Sequence, residues 1–186
     1  MIILGVDPGT LVTGYGIIEH AKGAMRLLAA NAIRNKSTAS MPIRLMNIFE
    51  SLADVIATYH PDEFAIETAF YGKNAQSALK LGHARGVAML AAVSKQIPTS
   101  EYSPREVKKA IVGKGTASKE QVQYMVMSML QLKEIPRPHD VSDALAIAIC
   151  HCHRTTRSKS TFKSWNAYLT AHPEKLSTPL RNRNGR

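Results

Sequence analysis

Apolar residues along this chain recur first at the spacing of strands and later at that of helices. Ile2–Val6 is a near-continuous apolar run, as in a strand covered on both faces. Pro8-Gly9 then signals a turn. Gly14–His20 and Met25–Arg34 read as two further strands, with Ala21-Lys22-Gly23 as the hairpin between them. From Pro42 the period changes. Leu45, Phe49, Leu52, Ile56 and Tyr59 recur at three and four, which predicts an amphipathic helix stopped by His60-Pro61-Asp62. Phe64-Ala65-Ile66 is a short strand, Asn74 to about Lys95 a long helix, and Pro98–Tyr102 another strand. Ser103-Pro104 opens a helix with proline at its first position, running to about Val112. Ser118-Lys119-Glu120-Gln121 is a capping box that opens the next. A last helix spans about Asp140 to His153. The order βββαβαβ followed by helices predicts an α/β fold, a mixed sheet with helices on its faces.

The 186 residues suffice for one domain with a substantial core. We expect that domain over residues 1–154, followed by a basic, flexible tail over 155–186. The tail holds seven basic residues and one acidic, a net of +6 out of the chain's +10, without sustained apolar periodicity. The positive body and tail together favour a polyanionic partner. No apolar run reaches the roughly 18 residues of a membrane span. The N-terminus lacks a basic region before its apolar stretch. The expectation is a soluble, cytoplasmic protein with no membrane partner. Cys150 and Cys152, two residues apart, make a poor structural disulfide. On a helix, Cys150-His151-Cys152-His153 point to different faces, so core and surface positions describe them better than a zinc site.

Asp7 ends the first strand and Glu67 the fourth. Asp140 and Asp143 share a face of the last helix at i and i+3. Each has a structural explanation alone: Asp7 as a turn acceptor, Glu67 in an ion pair, Asp140 as an N-cap, Asp143 as a first-turn dipole partner. Together they admit another. Strand ends and a packed helix can bring four carboxylates to one point. Like charges that close require cations, and oxygen-only ligands suit Mg²⁺ or Mn²⁺. Two such ions serve phosphodiester hydrolysis. An acidic metal site on a basic protein is what a nuclease needs.

The segments "GVDPGTLVTGYG", "FAIETAFYGKNAQSALKLGHARG", "VKKAIVGKGTASKEQV" and "HDVSDALAIAICH" resemble, in order, the successive motifs of the RuvC family of bacterial Holliday-junction resolvases. The resemblance covers about residues 1–153. It implies an RNase H-like fold with a five-stranded mixed sheet. It implies a homodimer that cuts four-way junction DNA symmetrically in recombination and repair, alongside the RuvA–RuvB branch-migration complex. It implies about two Mg²⁺ per subunit, with Mn²⁺ able to substitute, held by Asp7, Glu67, Asp140 and Asp143 as catalytic and metal-binding residues. The family has His or Asp at the position of Asp140, and His139 stands beside it here.

Other residues suit DNA. Phe70 and Tyr71 follow Glu67 in a polar loop, where exposed aromatics can wedge into or stack on bases; the family's wedge position falls on Phe70. The alternative is that Phe70 closes the core. Lys73 and Asn74 open the long helix, whose N-terminus favours phosphate. Lys108, Lys114 and Lys119 surround "GKGTASK", and the family's important lysines match Lys108 and Lys119. They suit phosphate contact or transition-state stabilisation. Lys109 and Lys133 read as solvated. The long helix is rich in small residues, including Gly82 and Gly86, which suits packing on its own sheet or a twofold dimer contact. Arg85 on that helix could serve DNA or the dimer. Two rival functions compete. "VDPGT" also resembles the first phosphate loop of sugar kinases and actin-like ATPases, but those need a second lobe and a second phosphate loop, and we expect neither in 186 residues. Another RNase H-like nuclease, acting on RNA or an RNA–DNA hybrid, shares the same chemistry.

Overall fold

A computed structural model describes residues 1–68 and 75–157. All ten elements expected from the apolar pattern form, in the expected order: β1 (Ile2–Asp7), β2 (Val12–Ala21), β3 (Ala24–Arg34), α1 (Met41–Tyr59), β4 (Glu63–Glu67), α2 (Ala75–Val93), β5 (Thr99–Tyr102), α3 (Pro104–Val112), α4 (Lys119–Met129) and α5 (His139–Arg157). The five strands make one mixed sheet in the order β3-β2-β1-β4-β5. β1 runs antiparallel to β2 and parallel to β4, and β4 runs parallel to β5. The carboxyl ends of β1, β4 and β5 therefore lie side by side. Among the described residues, no helix is long and apolar enough to cross a membrane. Contacts group Met1–Arg154 into one compact unit; a second, Thr155–Arg186, lies outside the described residues beyond its first three.

Strand alternation divides the core in two. Leu4 and Val6 of β1 join Phe64 and Ile66 of β4 against α1 and α2. Ile3 and Ala65 face the opposite way, toward α3, α4 and α5. α1 buries Ile48, Leu52 and Ile56 as the centre of its apolar stripe. The expected capping box of Ser118 with Gln121 forms, and a second, of Ser103 with Glu106, starts α3. Helix α5 is enclosed almost all round, and Cys150, His151 and Cys152 are all buried. The expected mixture of core and surface positions thus extends only to His153, because α5 lies between the sheet and α3–α4.

Three glycines let α5 approach the sheet. A Cβ on Gly5 would stand 2.2 Å from the Ala144 carbonyl oxygen, and one on Gly14 2.0 Å from the Asp140 carbonyl oxygen. On Gly16 it would meet the Leu145 side chain at 2.5 Å. These contacts run α5 antiparallel to β1, with its first turn over the β1 carboxyl end.

The small residues of α2 divide by face. Ala84, Ala88, Ala91 and Ala92 are buried against the sheet. Gly82 and Gly86 face open space, with nothing within 4 Å of an added Cβ. Packing on its own sheet therefore explains the alanines and not the glycines. Arg85 pairs with Glu101 of β5, which ties α2 to the sheet edge.

Candidate active site

Asp7 lies on the same face of β1 as Ile3 and Gly5, four and two residues earlier. Glu67 shares a face of β4 with Ala65. Both faces look toward α5. Asp7 pairs in register with Gly14, the glycine that admits the Asp140 backbone. The local rules of strand period and glycine contact thus deliver the two strand-end carboxylates to the first turn of α5.

Asp7, Glu67 and Asp143 line one cavity of about 350 Å³ together with Lys108 and Lys119. Its remaining walls include Val107, Val122 and Ile147. This apolar lining withholds water from the acids. Burial, reinforced by Glu67, Asp143 and Asp140, pushes the Asp7 carboxyl up to about 8. Burial and the Asp143 charge raise Glu67 to about 7, against the pull of Lys119 and Lys108. The Lys119 ammonium donates to Asp143 Oδ2 at 3.0 Å, and that bond raises the Lys119 pKa. Asp140 stands at the edge: its charge reaches Asp7, but it does not line the cavity. His139 turns elsewhere, its Nδ1 lying 2.6 Å from Nε2 of the buried Gln123.

Lys114 is exposed on the α3–α4 connection and lies outside the cavity. Lys109 and Lys133 are exposed as expected. Phe70, Tyr71, Lys73 and Asn74 lie outside the described residues. The apolar wall was not singled out in sequence, since Val107 and Val122 read there as ordinary helix-stripe residues.

Among the described residues, no three His, Cys, Asp or Glu side chains meet closely enough to grip an ion as they stand. The donor chemistry nonetheless fits a hard divalent cation. The acids are oxygen-only, mutually repelling and half-shielded from water, and the counter-charges within reach are the Lys119 and Lys108 ammonium groups.

A family model described as crossover junction endodeoxyribonuclease RuvC matches residues 3–151. The chain belongs to the RuvC family. It is 46% identical over 178 residues to the crossover junction endodeoxyribonuclease RuvC of Salinibacter ruber, covering 95% of this chain and 99% of that one. The Saccharophagus degradans protein of the same name is 52% identical over 150 residues, covering 81% and 86%. T. thermophilus RuvC, solved in complex with its Holliday junction substrate, superposes with a TM-score of 0.81 at 33% identity, covering 85% of this chain and 96% of that one. The fold is accordingly the RNase H-like one expected from the motif order.

Proposed function

We propose that this protein is a crossover junction endodeoxyribonuclease that resolves four-way DNA junctions by metal-assisted phosphodiester hydrolysis in recombination and repair. The observation that carries the reading is the meeting of Asp7, Glu67, Asp143 and Lys119 in one cavity of a RuvC-family chain. Asp7, Glu67, Asp140 and Asp143 would hold about two Mg²⁺ ions, with Mn²⁺ as a substitute. When bound, such ions supply an activated water and stabilise the leaving oxygen. Lys119 and Lys108 orient and neutralise the scissile phosphate from the cavity wall. Lys114, Phe70, Tyr71 and Lys73 serve as DNA contacts. The basic 155–186 segment adds sequence-independent attraction for the backbone.

Symmetric cutting needs two sites, and a homodimer supplies them. The exposed face of α2 is the candidate contact: Leu79, Leu90 and Val93 are 62%, 57% and 55% exposed, in line with the open Gly82 and Gly86. The RuvA–RuvB complex is the proposed partner machinery, and the cytoplasm the proposed compartment.

The test is cleavage of a synthetic four-way junction beside linear duplex and RNA–DNA hybrid, with and without Mg²⁺. Paired symmetric nicks in the junction, only with metal, are the expected result. Asp7→Asn should abolish cleavage while junction binding survives, because it removes a cation ligand without removing basic contacts. Cleavage of the hybrid alone would move the chain to another branch of RNase H-like nucleases.

A further inference from the structure

Helix α5 carries a second attachment to the sheet, far from the carboxylates. His151 is 1% exposed. Its Nδ1 lies 2.7 Å from the Tyr102 hydroxyl, and its Nε2 lies 3.3 Å from Glu63 Oε2. The two rings meet edge to face, with centroids 5.7 Å apart. Burial lowers the His151 pKa, against the pull of Glu63. In the neutral ring that burial favours, a proton on Nε2 faces the glutamate and leaves Nδ1 to accept from the tyrosine O–H. The Arg154 guanidinium lies 5.5 Å from the Tyr102 ring centre and donates to Glu106 Oε1 at 2.8 Å. Glu106 in turn closes the capping box that starts α3.

The spacing along the two elements gives this cluster its meaning. Glu63 and Glu67 begin and end β4 on one face, about 13 Å apart at strand rise. Asp143 and His151 are eight residues apart on α5, about 12 Å at helix rise. The helix runs antiparallel to β4. Holding His151 at Glu63 therefore holds Asp143 at Glu67. Tyr102 adds a second link to the same acid. It pairs in register with Glu67, and its carbonyl accepts from the Thr68 backbone N–H at 2.8 Å.

We infer that Tyr102 and His151 are positioning residues, a clamp that fixes the slide of α5 along β4 and so the separation of Asp143 from Glu67. The inference rests on the metal-site reading of those carboxylates only for its consequence, and the geometry of the slide is measurable without it. The variants are Tyr102→Phe, which removes the hydroxyl, and His151→Ala, which removes the link to both partners. Leu52→Ala opens a void in the opposite core and serves as the destabilised control.

Crystal structures of the clamp variants should show α5 displaced along β4, while that of Leu52→Ala should not. Titration calorimetry with Mg²⁺ alone should show affinity reduced about tenfold in the clamp variants and unchanged in the control, since losing a group that orients metal ligands weakens metal binding by roughly one to two decades. Junction binding without metal should be equal in all. An undisplaced α5 in His151→Ala, or wild-type Mg²⁺ affinity in both clamp variants, overturns the clamp. If the wild-type protein binds no Mg²⁺, the metal-site reading fails, and the position of α5 still decides the clamp.

Discussion

Asp7 is an acid placed where an acid is unstable without company. Its carboxyl is held at about 8 rather than 3.8, so the folded metal-free protein keeps a proton there that the unfolded chain releases near pH 4. Glu67, at about 7, behaves likewise. The sign follows from the proton count. Between about pH 4 and pH 8 the folded state binds more protons than the unfolded one, so stability falls as pH rises through that window. The contribution is complete below the unfolded value and is lost as pH passes the folded value. One pKa unit corresponds to about 1.4 kcal/mol, so Asp7 alone amounts to several kcal/mol before coupling and relaxation reduce it. The metal-free protein should therefore melt at progressively lower temperature from pH 5 to pH 8.5. Mg²⁺ should flatten that slope. Asp7→Asn should raise the metal-free melting temperature at pH 8 by roughly 5–10 °C while removing cleavage. Calorimetric melting across pH, with and without Mg²⁺, checks this. An unchanged melting point in Asp7→Asn would mean that Asp7 is not held under that strain.

At the scale of elements, the site depends on how closely α5 approaches β1 and β2. Gly14 opposes Asp7, and its missing Cβ admits the Asp140 carbonyl. Gly14→Ala must push back a helix backbone, not a flexible side chain. It should cost about 1–3 kcal/mol and weaken Mg²⁺ binding severalfold, with junction binding intact. Equal Mg²⁺ titrations of Gly14→Ala and wild type would remove Gly14 from the positioning of the site. The sequence made the elements and the acids legible because both are local. Strand-end Asp7 and Glu67, and the i, i+3 pair Asp140 and Asp143, need only period and position. The glycines were harder to read: "GYG" in a strand shows weakened propensity, not which backbone fills the space. The link from Tyr102 to His151 was invisible, since it joins residues 49 apart that separately look like core. Lys119 was identified through the resemblance, and the structure adds its partner, Asp143.

For the whole molecule, the question is what covers α2. Leu79, Gly82, Gly86, Leu90 and Val93 follow one another at three and four residues, a single line along the exposed side of the helix. Within the monomer the two glycines earn no packing, because nothing lies within 4 Å of an added Cβ. Helix propensity alone would then favour alanine by about 1 kcal/mol at each position. If the line is a twofold contact in which backbones approach closely, the same substitution has opposite effects on the two levels of structure. Gly82→Ala and Gly86→Ala together should raise the stability of the monomer and weaken its self-association. Leu90→Glu should abolish association by placing a charge in the contact. Sedimentation across a concentration series reads the first effect, and nicking of a four-way junction reads its consequence. A protein driven to monomer should still nick single strands at high concentration, but the two nicks should lose their pairing in time. Leu90→Glu that stays dimeric, and still nicks both strands together, would place the dimer contact on another face and leave the glycines of α2 without a role.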